Sequence, residues 1–230
     1  MANFTLLQLR DQVRQRSDIV RSNHITDSEI NGYINASIRE LYDLLIQKFG
    51  EDYFVTSSNL SLISGTESYA LPSNFYKLLG ADLEQSSAEF LTLKPFMFNE
   101  RNRFNSSSFR SAIGSESLRY RIQGNTLFFR PIPTNTATVR VYYVPQFGGL
   151  SLDVDLWDGY NGWEEYVVVD GTIKCKAKEE SDVNVEAAQK GALIKRIEDV
   201  AGNRDAGLSF RVSDVRGINN EQGFGFNNND

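Results

Sequence analysis

Apolar residues recur every three or four positions near the start of the chain, alternate through the middle, and return to helical spacing toward the end. Thr5 and Gln8 have the spacing of a capping box. Leu6, Leu9 and Val13 then share one face of a short helix ending near Arg16. A polar link from Ser17 to His24 follows, and Thr26-Asp27-Ser28-Glu29 is a second, clearer capping box. Behind it Ile30, Tyr33, Ile34, Ile38, Leu41, Leu44, Leu45 and Phe49 form an amphipathic stripe, with Gly50 as a stop. The pattern predicts a helix over 27–49.

From Tyr53 the period changes. Tyr53-Phe54-Val55, then Leu60, Leu62 and Ile63, then a Ser-Gly-Thr-Glu turn, then Tyr69 to Pro72 predict strands joined as a β-hairpin. Residues 71–80 read as a tight turn with a short helical piece. Strands are expected at Leu79–Leu83 and Glu89–Leu93, and a short helix over Pro95–Phe104. Ser-rich 105–117 reads as an exposed loop. Arg119–Gln123 and Thr126–Arg130 flank Gly124-Asn125, a pair that accepts the positive φ of a tight hairpin turn. Pro131 and Pro133 end that hairpin, and Thr138–Val144 is one more strand, stopped by Pro145.

The stretch from Trp157 to Asp182 reads as a loop feeding a long helix. Asp158, Gly159, Asn161 and Gly162 are turn formers. Glu164 and Glu165 then lie where carboxylates favour a helix start, and Lys174, Lys176 and Lys178 where cations favour its end. Trp163, Tyr166, Val167, Ile173 and Ala177 keep helical spacing, with Asp170 on the same side and Lys174 one turn later to pair with it. The valine triplet and Gly171 leave a strand open as an alternative. Ser181 is the expected cap of a last helix over 182–201. Its Ala187, Gly191, Ile194, Ile197 and Ala201 share a face, and Glu186 and Lys190 are spaced to pair. Beyond Gly202 the pattern decays. Five Asn and three Gly between Gly217 and Asp230 point to a tail that stays extended until bound.

The expected fold class is therefore α+β. A helical bundle domain forms from 1–50 and 157–202, an antiparallel β-rich domain is inserted over 51–156, and 203–230 is an extended tail. No apolar run approaches the roughly 20 residues of a membrane helix, and the N-terminal residues do not resemble a signal peptide.

Charge adds contrast between segments. The net charge of 230 residues is −6, yet residues 94–140 carry eight bases and two acids, while 141–230 carry nine bases and sixteen acids. Such an acidic chain is a poor general nucleic-acid binder, because phosphate neutralisation drives that affinity. The arginines of the middle (Arg101, Arg103, Arg110, Arg119, Arg121, Arg130 and Arg140) admit three roles: a solvated sheet face, contact with an acidic neighbouring subunit, or contact with a DNA backbone.

Catalytic patterns are not found. With one cysteine and one histidine no zinc-type Cys/His cluster can form, and no phosphate-binding glycine loop precedes a helix. Cys175 reads as a small apolar helix residue and His24 as a loop residue. Asp153, Asp155 and Glu164 take the first, third and twelfth places of a calcium loop, but Trp157 stands at the fifth and the glycine comes one place late. A solvated loop is the better reading. No catalytic, cofactor or metal residues are expected, and no enzymatic activity.

The order WDGYNGWEEYVVVDGTIKCKAKEESDV, followed by a basic-acidic helix and NRDAG, resembles head-to-tail adaptor (connector) proteins of tailed bacteriophages, in particular those like tail tubular protein A. The likeness is strongest over 119–215 and extends to 5–76. It implies a structural virion protein at the neck, made in the host cytoplasm. Copies would form a ring, of twelve subunits in such families, between the portal protein and a tail nozzle protein. Genomic DNA would pass through the lumen without sequence-specific binding. By analogy, Arg204, Phe210, Arg211 and Arg216 in the tail would touch the portal. Two other roles stay open on the residues: another tail or nozzle completion protein, and a small soluble binding module.

Overall fold

The computed structural model describes residues 3–19, 24–86, 89–105, 118–160 and 162–202. Both capping boxes form. The Thr5 hydroxyl accepts from the Gln8 amide at 3.1 Å and the Gln8 side chain accepts from the Thr5 amide at 2.9 Å, opening α1 (Leu6–Arg16). Thr26 and Glu29 do the same for α2 (Asp27–Phe49), which ends at Gly50 with φ of 109°, a backbone only glycine adopts easily. Ile30, Ile34, Ile38, Leu41 and Leu45 line its buried stripe.

The valine run is helical. α3 (Glu164–Lys178) buries every residue from Tyr166 to Thr172, because it packs on α1, on α2 and on α4 (Asn184–Gly202). Valine loses a few tenths of a kcal/mol of helix propensity, far less than a buried side chain gains. Gly171 is a packing residue: a Cβ there would lie 3.1 Å from Val13 Cγ2, so it lets α1 come close. Ala177, expected on the buried side, is exposed, and Cys175 is buried instead.

Three details of α4 differ from expectation. Asp182, not Ser181, caps the turn before it, accepting from the Asn184 amide at 3.0 Å. Glu186 and Lys190 do not pair with each other. Both reach α3, Glu186 to Lys176 at 2.7 Å and Lys190 to Asp170 at 2.7 Å. The inward face carries Glu186, Ile194 and Ile197, whereas Ala187 and Gly191 are exposed. With Lys176 and Asp170 of α3 offering partners of both signs, α4 turns its charged Glu186 and Lys190 toward α3, which rotates the small residues out.

The middle of the chain forms two four-stranded sheets. The first has the order β2 (Thr56–Leu62), β9 (Ala137–Pro145), β4 (Phe75–Ser86), β5 (Glu89–Thr92). The second has β3 (Ser68–Ala70), β8 (Thr126–Arg130), β7 (Arg119–Gln123), β6 (Lys94–Pro95). All their pairings are antiparallel except β6 with β7. The inner faces meet through Leu62, Ala81, Leu83, Val139 and Val141 on one side and Leu127 and Phe129 on the other. The α+β class is thus as expected. A two-stranded ribbon, β1 (Phe4–Thr5) with β10 (Leu156–Trp157), ties the start of α1 to the loop before α3.

The hairpin at Gly124, with φ of 57°, and the strand ending at Pro145 are where the residues place them. Other β expectations are corrected. Tyr53-Phe54-Val55 is a turn, with the Tyr53 amide donating to the Gly50 carbonyl at 3.2 Å. Its rings anchor on the helices, Phe54 stacking on Tyr42 at 4.3 Å. β2 and β3 are not a hairpin, since the turn at 64–67 carries the chain from one sheet to the other. The expected helical piece after Pro72 is a turn followed directly by β4, which is twelve residues long. Between Pro95 and Phe104 two short 3-10 turns, Phe98–Glu100 and Arg103–Asn105, replace a helix. The sheets reach the helices at a third apolar cluster of Tyr42, Ile46 and Val144, where the Tyr42 hydroxyl donates to the Pro145 carbonyl at 2.6 Å.

Candidate interaction surfaces

The carboxylates of the calcium-like loop are committed elsewhere. Asp153 takes a two-pronged ion pair from Arg10, at 2.9 and 3.1 Å, which holds its carboxyl below the usual range. Asp155 accepts from the Ser151 and Leu152 amides at 2.7 and 2.8 Å and is lowered in the same direction. Glu164 sits against Gly159 at the start of α3. Among the described residues no group of three acidic, histidine or cysteine side chains is placed to hold a metal. His24 is exposed in the loop before α2, and Cys175 is buried, its thiol pushed up to about 11 by burial.

Charge is instead spent on joining helices. Asp170, 2 % exposed, accepts from Lys190 at 2.7 Å and from Lys174. Lys174 also reaches Glu40 at 2.8 Å and Ser37 at 3.1 Å, and Lys190 reaches Glu40 at 3.1 Å. Burial alone would push the Asp170 carboxyl up; the bonds from Lys174, Lys190 and Ser37 outweigh it, and the pKa lies below the ordinary value. Arg16 bridges Glu165 and Gln189, and Lys178 binds Glu29. Every helix therefore has at least one ionic tie to another, and α2, α3 and α4 share one buried knot.

The basic middle is organised around aromatic rings. Arg101 and Arg121 both lie over Phe98, at 4.4 and 5.7 Å from its centre. Arg103 and Arg119 both lie over Phe104, at 5.9 and 4.6 Å. Arg121 also donates to the Phe96 carbonyl at 3.2 Å. Arg130 is paired with Glu67 at 2.7 Å, and Arg140 covers Phe90 at 4.4 Å on the other sheet. Arg101, Arg119 and Arg121 make no ion pair among the described residues. Arg110 lies outside the described residues.

An apolar patch opens beside α1. Leu152 is 63 % exposed, Val154 73 % and Leu156 61 %, and Leu7 projects nearby from the first turn of the helix. The Leu7 amide donates to the Asp153 carbonyl at 3.2 Å, which brings the first turn of α1 beside the turn at 152–155. Isolated exposed apolar residues are ordinary, but a cluster of this kind marks a contact surface.

A family model described as SU10 adaptor protein matches residues 4–213. The chain belongs to the SU10 adaptor protein family. The match runs through the helices, both sheets and the first residues beyond α4, so it covers the region where the resemblance to phage adaptors was read and joins its two parts. No curated protein matches the chain. The family is one of structural phage adaptors and is not known as an enzyme family. For an SU10 adaptor protein the relevant chemistry is that of surfaces. The four residues assigned to portal contact by analogy, Arg204, Phe210, Arg211 and Arg216, lie outside the described residues. Among the described residues no helix is long and apolar enough to cross a membrane.

Proposed function

We propose that this chain is the head-to-tail adaptor of a tailed phage, in the manner of tail tubular protein A. Copies assemble as a ring, of twelve subunits, between the portal and the tail nozzle, and the genome passes through its lumen. The observation that carries this reading is the family match across residues 4–213. Its physical support is the division of the apolar interior into a helical cluster and a separate sheet cluster, joined by the small cluster around Tyr42. In this reading 1–50 and 157–202 work as the helical bundle, 51–156 as the β domain, and 203–230 as the tail. A rigid helical body braced by buried ion pairs suits a part that holds its shape under the pressure of packed DNA. The two-sheet unit faces the nozzle. The tail reaches along the portal, with Arg204, Phe210, Arg211 and Arg216 as its contacts. The acidic total keeps the lumen from gripping DNA.

The reading is tested by mixing purified full-length chain, and a chain ended at Gly202, with a portal preparation. The full chain is expected to co-sediment with portal, and the shortened chain to remain folded and lose attachment. A full chain that never joins portal overturns the adaptor reading. A shortened chain that attaches as well as the full one removes the tail from it.

A further inference from the structure

The two outer faces of the sheet pair carry opposite, unspent charge. On the second sheet and its β6 edge stand Arg101, Arg119 and Arg121, over the rings of Phe98 and Phe104, with no carboxylate partner among the described residues. On the first sheet, Ala81 and Leu83 point into the shared core, so alternation turns Asp82 and Glu84 outward. Asp82 lies directly across from Arg140, yet Arg140 stacks on Phe90 and makes no ion pair with it. Asp82 and Glu84 make no ion pair among the described residues. Neither set pairs with the other among the described residues of one chain, although the Tyr120 hydroxyl of the second sheet, raised above the ordinary value chiefly by burial, is raised also by Asp82 nearby.

We infer that these faces bind each other between copies, with Arg101, Arg119 and Arg121 of one copy against Asp82 and Glu84 of the next. The inference rests on the ring reading above and names its contact. Two unlike patches on one subunit, each meeting the other on a neighbour, give a head-to-tail contact, the kind that closes rings. Guanidinium groups already held over rings, with Arg101 and Arg121 each donating to a backbone carbonyl, of Phe98 and Phe96, lose little further freedom when they meet carboxylates. The occupant is a second copy rather than DNA because the complementary set is built into the same molecule, while the net charge of −6 repels phosphate.

The experiment uses the full chain, with assembly followed by sedimentation, alone or on a portal preparation. Two charge-reversed variants are made, Arg119→Glu with Arg121→Glu, and Asp82→Lys with Glu84→Lys. All four positions project outward or lie at the rim, and unchanged circular dichroism and melting check that each variant folds. Each variant alone is expected to self-associate about tenfold or more weakly than the unaltered chain, since attractive pairs become repulsive. Mixed in equal amounts, the two variants recover assembly, because each reversed face now meets its opposite. The unaltered contact is expected to weaken as salt rises from about 50 mM to about 500 mM. Variants that assemble normally, or a mixture that fails to recover, overturn this contact and leave the adaptor reading in place. Loss of DNA retention in the arginine variant with assembly unchanged overturns it in favour of a DNA-facing role. An unaltered chain that neither self-associates nor joins portal overturns both readings.

Discussion

Replacing Asp170 by alanine removes the centre of the knot between α2, α3 and α4. The carboxylate is buried and accepts from two lysines, so its loss deletes two charge-assisted bonds at a site of low exposure. Breaking a buried pair from one side costs about 3–5 kcal/mol. Two features favour the lower end. Lys174 and Lys190 each keep Glu40, at 2.8 and 3.1 Å, and both side chains are about a quarter exposed and can rehydrate. The expected loss is about 3 kcal/mol. In urea unfolding the midpoint falls by roughly 1 M with the slope unchanged. Lys190→Ala added to Asp170→Ala costs less than the sum of the two singles, by about 1 kcal/mol or more, because the pair they share is already gone. The folded pKa of Asp170 is depressed, so its contribution is complete above the unfolded carboxylate value of about 3.9 and disappears as pH falls through the lower folded value. The gap between the unaltered protein and Asp170→Ala is therefore flat from about pH 5 to 8 and narrows below about pH 4. A midpoint shift worth under about 0.5 kcal/mol, or strict additivity with Lys190→Ala, refutes the assignment of this knot as a main brace.

Two glycines in helices give opposite expectations. Gly191→Ala faces open space on α4 and should raise stability by about 0.8 kcal/mol in the same urea assay. Gly171→Leu drives a side chain into Val13 across the α1–α3 contact and should lower it by about 3 kcal/mol. Thr26→Ala removes the hydroxyl of a complete capping box and costs about 1 kcal/mol, read as a fall in thermal midpoint. At the junction of helices and sheets, Tyr42→Phe leaves the Pro145 carbonyl without its 2.6 Å donor. That change costs about 1 kcal/mol, and a melting temperature indistinguishable from the unaltered chain contradicts it.

Elements with a local signal were legible from residue types alone. Thr5 with Gln8 and Thr26 with Glu29 mark helix starts because both halves of each capping box lie within four residues. Gly124-Asn125 marks a hairpin because the turn itself demands positive φ. What the sequence hid depends on distant partners. β2 pairs with β9 and β3 with β8, separated by more than fifty residues, while the nearest turn invites a local hairpin instead. Tyr53 and Phe54 have strand-like residue types, yet their rings are held by Tyr42 and Phe49 on α2. The face of α4 turned on which oppositely charged partners Asp170 and Lys176 would take, Lys190 and Glu186, and periodicity carries no information about that. The surface chemistry was half legible. The excess of arginine in the middle segment is visible in composition, but the stacking of Arg101, Arg119 and Arg121 on two shared rings emerges only from the fold.

The most direct measurement is an electron-microscopy map of the intact phage particle at its head-to-tail junction. A ring of this chain's two-part shape, helices toward the portal and paired sheets toward the nozzle, is the result the adaptor account predicts. A neck whose density is filled entirely by other proteins contradicts it.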